Sequence, residues 1–276
     1  DSAEPAPAPA NAGKAVQLKV VKWDVSAPLR DVKVKPKSVT PIKIFRDPAT
    51  PDDDAELPEG WEGKVGTRFS PHVHQKSSGS RAAIPTPSAN VEGLGRGIAG
   101  FGLGGVPPDT TGGVGPNYYM QWVNTSFAFF EKDGSMVDLD GNDWRDGNAI
   151  WDGFGGRCEF RNDGDPIVLY DQLAGRWVMT QFGLASLGTG PHSQCIAVST
   201  TGDPLGTWHR SEYVWPGNYL NDYPKMSVWN DGYYLTVNEF QCAANWSCSS
   251  VGGAVAIFDR ENLIQGIAPR APQYVD

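Results

Sequence analysis

The feature that most constrains the fold is an internal repeat in the second half of the chain. Three stretches share one layout: an aspartate, an apolar strand, a polar turn and a second strand that ends near a phenylalanine. The leading residues are Asp109, Asp165 and Asp222, which are 56 and 57 residues apart. The closing residues are 55 and 58 apart: Phe127, Phe182 and Phe240. A period this regular indicates copies of one structural unit.

Further strands follow in the later copies. Residues 195–199 and 254–258 predict a third strand, and residues 207–214 a fourth. Four antiparallel strands in each repeat of about 40–60 residues are typical of a β-propeller blade. A two-sheet sandwich is the alternative, but it would not require so regular a period. Because propellers use about four to eight blades, the three visible here form an incomplete ring. We expect another chain or a missing C-terminal segment to complete it.

The composition divides the chain into three parts. Residues 1–14 are a Pro/Ala-rich tail, which we interpret as the flexible start of a mature secreted protein after removal of a signal peptide. Residues 15–106 predict an N-terminal strand and an extended belt, with one or two edge strands over residues 16–34. Dense aromatic residues and Gly-containing turns begin near Pro107, so residues 107–276 are interpreted as the incomplete propeller.

The charge of the chain limits which classes of molecule it can bind. The net charge is −9, and residues 109–276 hold 20 acidic against 9 basic side chains. Such a domain repels phosphate backbones, which excludes nucleic acid as a partner. Apolar runs stay shorter than the roughly 18 residues that a membrane span needs. A neutral polymer, a protein or a cation suits this surface better.

The four cysteines fit an oxidising compartment, because their spacing matches no zinc signature. Cys242 and Cys248 would close a short loop as a disulfide. Cys158 and Cys195 then remain as the second pair by elimination, with four buried thiols as the alternative. The sequence therefore predicts a secreted protein, either extracellular or periplasmic.

Four phrases resemble a bacterial family of secreted β-propeller proteins that are often multidomain and largely uncharacterised. They are residues 107–119 (PPDTTGGVGPNYY), 151–158 (WDGFGGRC), 164–171 (GDPIVLYD) and 221–232 (NDYPKMSVWNDG). The resemblance covers residues 107 to about 265 and implies the fold, not an activity. A looser resemblance, at residues 199–208 (STTGDPLGTW), is to five-bladed glycoside hydrolases.

The repeated aspartates are the main candidate site. In a propeller they would gather at one mouth of the central channel, where two carboxyl groups can act as acid and base on a glycosidic bond. Glu239 is the acidic exception at its repeat position. The hydrolase hypothesis assigns Asp109 as base, Asp165 as pKa modulator and Glu239 as acid, with Asp222 in ligand binding. The alternative is that each aspartate caps a turn.

Two other sets of residues suggest ligands. Asp138, Asp140, Asn142 and Asp146 form an oxygen-rich segment that predicts a Ca²⁺ site, although the full calcium-loop pattern is missing and solvated turns are the alternative. Trp151 and Trp215 lie near turns and could stack on sugar rings, or else pack in the core.

Three functions follow as hypotheses. The first is a secreted or cell-surface propeller that binds a glycan or protein partner, within a larger assembly. The second is a glycoside hydrolase that uses the channel-facing carboxylates. The third is a structural subunit of an extracellular polymer, which predicts extensive contacts by residues 1–108 with another chain.

Overall fold

The computed structural model of this protein describes residues 15–33, 86–87, 89–95, 107–186 and 188–276. The predicted tail and most of the predicted belt lie outside these residues. Within the described part, strands dominate and helices are short.

The strands are β1 (Val16–Gln17), β2 (Lys19–Val25), β3 (Thr111–Val114), β4 (Tyr118–Val123), β5 (Ser126–Glu131), β6 (Arg145–Asp146), β7 (Ile167–Asp171), β8 (Arg176–Gly183), β9 (Ser193–Ser199), β10 (Trp208–Val214), β11 (Leu220–Val228), β12 (Gly232–Cys242), β13 (Cys248–Asp259) and β14 (Gln273–Val275). The α-helices are α1 (Gly156–Phe160) and α2 (Arg260–Gln265). Single 3-10 turns cover Leu29–Asp31, Gly147–Trp151 and Pro216–Asn218.

These strands form three antiparallel sheets, each built from four consecutive strands. Sheet 1 has the order β3-β4-β5-β6, sheet 2 is β7-β8-β9-β10 with β2 added beyond β10, and sheet 3 is β11-β12-β13-β14 with β1 added beyond β14. The predicted all-β class and the four-strand unit are thus confirmed. One alignment differs: Phe182 and Phe240 lie in second strands, whereas Phe127 lies in β5, the third strand of its sheet.

Sheet 2 lies between the other two and is covered on both faces. Successive side chains of a strand point to opposite faces, so Trp177 packs in a core with Trp122 of sheet 1, while Val178 packs with Leu235 of sheet 3. Every residue of β9 is buried. This explains why the apolar residues of β9 follow one another directly in the sequence instead of alternating with polar residues.

The N-terminal strands are edge strands, as predicted, and they join two sheets. β2 pairs with β10, and β1 pairs with β14. Leu18, between them, is buried in the core between sheets 2 and 3. Arg210 of β10 donates from Nε and Nη2 to the Asp24 carboxylate of β2, both at 2.8 Å. The segment from β1 to β2 therefore spans the outer edges of both sheets.

Asp171, at the end of β7, ties sheet 2 to sheet 3. Its side chain is fully buried and accepts hydrogen bonds from Arg260 at 2.7 and 3.1 Å and from the Tyr233 hydroxyl at 2.9 Å. These donors hold the pKa of Asp171 below its usual value despite burial. A carboxylate so fully engaged has a structural role.

Both predicted disulfides are present. Cys158–Cys195 joins α1 to β9, and Cys242–Cys248 closes the loop between β12 and β13. Neither helix of the described part is long and apolar enough to cross a bilayer. Two disulfides without a spanning helix fit a secreted protein.

Candidate functional site

The first strand of each sheet has a residue with a left-handed backbone just before it or near its start. These residues are Asp109 (φ 40°), Asp165 (φ 47°) and Tyr223 (φ 48°), the last lying at a bulge in β11. Aspartate tolerates this region better than most residues, whereas tyrosine is strained there. By backbone conformation the equivalent of Asp165 is therefore Tyr223, and Asp222 lies one residue earlier.

The first strands of the three sheets are neighbours. β7 contacts both β3 and β11. The backbone N–H of Val168 donates to the Thr111 hydroxyl at 3.4 Å, and the backbone N–H of Tyr223 donates to Asp165 Oδ2 at 2.9 Å. This arrangement brings together Asp109, Asp165 and Asp222, which we call the aspartate cluster.

Asp109 and Asp165 share a hydrogen bond between their carboxyl groups. Such a bond requires one of the two to be protonated. Burial, with the charges of Asp222 and Asp109, raises the pKa of Asp165 to about 8, and burial also raises that of Asp109. The pair therefore holds a proton near neutral pH, as two adjacent carboxyl groups do.

Lys225 supplies the positive charge of the site. All three aspartates act electrostatically on its ammonium group and oppose the lowering of its pKa by burial. Its Nζ lies 3.1 Å from the ring centroid of Tyr223 and donates to the Pro224 carbonyl at 3.0 Å. Tyr223 is half exposed. The cluster thus combines acceptors, one cation and an accessible aromatic ring.

The turn-cap alternative fits only part of this geometry. Asp165 does accept a backbone N–H, but the donor is Tyr223, 58 residues away in the next sheet. A cap would bond within its own turn, as Asp171 does with the N–H groups of Leu173 and Ala174. Asp165 therefore connects two sheets.

Glu239 lies apart from the cluster's contacts. Its side chain is buried in β12 and accepts hydrogen bonds from Trp215 Nε1 at 2.7 Å and from the Tyr274 hydroxyl at 2.8 and 2.9 Å. The pKa of Glu239 is raised overall. Burial is the main cause and the negative charge of Asp276 adds to it, while the hydrogen bonds from Tyr274 and Trp215 act in the opposite direction. The predicted acid is thus held by its own protein, and its catalytic role stays a prediction.

The two tryptophans proposed for sugar stacking are core residues. Trp151 is completely buried, with its ring 5.6 Å from that of Phe154, and Trp215 is 1% exposed. Neither presents a ring face to solvent, so the structure does not support ligand binding by either. The sequence position near a turn was the misleading signal, because the turns themselves pack inward.

The predicted calcium segment is organised by Arg145 instead. This buried guanidinium donates to the carbonyls of Leu139, Asn142 and Trp144, and the charges of Asp138 and Asp140 support its protonation. Among the predicted ligands, Asp138 Oδ1 accepts a hydrogen bond from the Gly141 N–H at 2.6 Å, and Asp146 is the last residue of β6. Carbonyls that would face a cation face an arginine here.

In the described residues no three His, Cys, Asp or Glu side chains are grouped as metal ligands. The calcium site stays a prediction. Arg145, Lys225 and Tyr223 were missed from the sequence. The phrase Tyr-Pro-Lys, in the repeat position where the earlier copy has Asp-Pro-Ile, was the available signal for the last two.

No model of a known protein family matches this chain, and no curated protein or solved structure is significantly similar to it.

Proposed function

We propose that the three sheets are consecutive blades of a β-propeller and that this extracellular protein binds a glycan at the aspartate cluster. The architecture is supported by the four-strand meander of each sheet and by the side-by-side first strands. Membership of the bacterial secreted propeller family belongs to the same proposal and rests on the sequence resemblance.

The observation that carries the binding function is the convergence of three aspartates from three sheets. A sugar offers several hydroxyl donors, and carboxylates are strong acceptors for them. Lys225 can donate to ring or hydroxyl oxygens, and the exposed ring of Tyr223 offers an apolar face. Sites of this kind combine few polar groups with an aromatic surface.

A glycoside hydrolase is the second candidate, favoured by one fact: the pKa of Asp165 lies near neutrality, as suits a general acid. The predicted acid argues against it. Glu239 is buried, and its carboxylate is already engaged by Trp215 Nε1 and the Tyr274 hydroxyl. Binding without hydrolysis therefore fits the geometry better.

The larger assembly also remains part of the proposal. Val255 and Val275 pair directly on the face of sheet 3 that points away from sheet 2, and they are 37% and 39% exposed. The corresponding outer face of sheet 1 is covered by Leu94, packed near Phe130 and Trp144. We propose that a further four-stranded sheet covers sheet 3, which would extend the ring. The structural-subunit hypothesis depends on residues 1–108, most of which lie outside the described residues.

The test is a panel of neutral polysaccharides, with affinity measured by isothermal titration calorimetry on the best binder. Replacing Asp109 and Asp165 by asparagine removes the charges but keeps the shape of both side chains. We expect binding to weaken at least about tenfold, because charge-assisted hydrogen bonds are lost. Asp143→Asn, at an exposed position elsewhere in sheet 1, is the matched control and should bind normally.

Two results would contradict the proposal: no binding to any glycan, or unchanged affinity in the double variant. Reducing-sugar release is measured on the same panel. Release by wild type that is abolished in Glu239→Gln, with folding retained, would favour the hydrolase instead.

A further inference from the structure

A second pocket lies on sheet 2, beside α1 and outside the aspartate cluster. It is an open depression of about 370 Å³ on the surface. Helix α1 forms one wall and residues 184–186 form another. The side chains that give it chemical character are Arg157, Phe160, Arg161 and Glu212.

The two arginines are unusual in so acidic a protein. Arg157 lies in α1, and Arg161 is the residue that ends this helix, with its backbone N–H donating to the Arg157 carbonyl at 2.9 Å. Two like charges therefore lie on one short segment. Within the described residues, neither forms an ion pair with a carboxylate; Arg161 Nη2 donates to the Ser186 hydroxyl at 3.1 Å. Burial raises the pKa of Asp163 and the positive charge of Arg161 opposes that rise, but the hydrogen bond that Asp163 Oδ2 accepts comes from the backbone N–H of Leu184. An anion between the two guanidinium groups would relieve the repulsion.

Phe160 adds an apolar surface to the same wall. It is 74% exposed, more than any other large hydrophobic residue of the described part. A single exposed aromatic ring is common on protein surfaces, but this one stands at the rim of the pocket, where it offers an apolar contact surface. The flat ring can cover the apolar face of a second ring.

The floor of the pocket carries the opposite charge. Glu212 of β10 is 3% exposed, and its Oε1 accepts a hydrogen bond from the Ser193 hydroxyl at 2.7 Å. Its Oε2 points toward Gly156, where a Cβ atom would come within 2.5 Å of it. A ligand made only of anionic groups would be repelled by this carboxylate. A ligand with both an anion and hydroxyl donors would satisfy rim and floor together.

The walls are held in place before any ligand arrives. The Cys158–Cys195 disulfide anchors α1 to β9. His192, buried and kept neutral because burial lowers its pKa, accepts the Ala185 N–H at 3.1 Å on Nδ1 and donates from Nε2 to the Gly188 carbonyl. A wall fixed in this way reduces the entropy that binding would cost.

We propose that this pocket binds a hexuronate residue of an acidic polysaccharide. Arg157 and Arg161 hold the sugar carboxylate, for which the planar guanidinium is well shaped. Phe160 covers the apolar face of the pyranose, and Glu212 accepts its hydroxyl hydrogens. The site is separate from the aspartate cluster and does not depend on it.

The experiment is calorimetric titration with an α-1,4-linked galacturonate hexasaccharide. Its fully methyl-esterified form is the matched ligand, because it keeps the rings and removes the charge. We expect the ester, and the variant Arg157→Gln/Arg161→Gln, each to bind at least about tenfold more weakly. Phe160→Ala should lose about three- to tenfold, and Lys132→Gln, an exposed charge in a distant turn, should bind within about twofold of wild type.

Circular dichroism confirms that each variant is folded. Equal affinity for the ester, unchanged affinity in the arginine variant, or no binding of the acid would overturn the proposal. Equally tight binding of hexaglutamate would overturn the sugar assignment and leave an acidic-peptide site. Asp109→Asn/Asp165→Asn should leave this affinity unchanged; loss there, with the arginine variant intact, would assign the ligand to the aspartate cluster and reject this pocket alone.

Discussion

At the scale of single residues, the buried carboxyl groups differ in what satisfies them. Asp171 and Glu239 receive hydrogen bonds from side chains of their own protein. The carboxyl groups of Asp109 and Asp165 instead hydrogen-bond to each other, and the charged side chains of Asp222 and Lys225 lie near them. The first kind stabilises the fold, whereas the second leaves acceptor capacity for a ligand.

Glu239→Ala should lower the free energy of unfolding by about 2–4 kcal/mol, because the buried Trp215 N–H and Tyr274 O–H would lose their acceptor. Glu239→Gln keeps an acceptor oxygen and should cost about 1 kcal/mol. Urea denaturation measures both. If Glu239→Ala were as stable as wild type, the structural role assigned to this carboxylate would be wrong.

Asp165 predicts a pH dependence of stability. Its pKa is raised to about 8 in the folded protein, against about 3.9 in the unfolded chain. The folded state therefore binds the extra proton between these values, and stability is lost as pH rises through about 8. We expect the melting temperature of wild type to fall from pH 6 to pH 9. Each kcal/mol lost from the free energy of unfolding lowers it by about 2–4 °C.

Asp165→Asn cannot ionise, so its melting temperature should change less over the same interval. Differential scanning calorimetry at both pH values compares the two proteins, with Asp143→Asn as a control for the loss of one charge. Parallel pH curves for wild type and Asp165→Asn would contradict the raised pKa.

Residue-level predictability depended on local signals. The repeat located the three aspartates because Asp109 and Asp165 precede the first strands of their sheets and Asp222 lies near the start of β11. It could not identify the partners of Glu239, since Tyr274 lies 35 residues and Trp215 24 residues away in sequence. The role of Arg145 was equally hidden, because carbonyl groups do not show in a sequence pattern.

At the scale of elements, the N-terminal strands depend on one ion pair. Arg210 is 4% exposed at its side chain and Asp24 27%. Asp24→Ala would leave this guanidinium without its carboxylate, and we expect a loss of about 2–4 kcal/mol, reduced from a fully buried pair by the partial exposure of Asp24.

The matched control is the exposed pair Arg30–Asp203, whose side chains are 50% and 43% exposed. Arg30→Gln should cost less than about 1 kcal/mol. Urea denaturation compares the two variants. Equal, small losses in both would show that β2 is not held to β10 by this pair.

Element predictions succeeded where turn chemistry or alternation was present. Gly134, with φ 91°, closes the turn after β5, and the Trp229 N–H to Gly232 carbonyl bond closes the one between β11 and β12, both within the part where Gly-containing turns are expected. Helix α1 was missed because five residues are too few to show a helical period. Its position is set by the disulfide to β9, a contact across 37 residues.

At the scale of the whole molecule, the described residues cover both faces of sheet 2 but leave Val255 and Val275, on one face of sheet 3, partly exposed. The sequence predicts an incomplete propeller from its three repeats, and that ring stays a prediction. What it could not anticipate is that β1 and β2 would join the outer edges of two sheets.

The most direct test of glycan binding at the aspartate cluster is a crystal structure of the protein saturated with its best-binding neutral oligosaccharide. The account predicts a sugar ring within hydrogen-bonding distance of Asp222 and Asp165 and in contact with Tyr223, where the first strands of the three sheets meet. Crystals in which the sugar is bound elsewhere, with the aspartate cluster unoccupied, would contradict it.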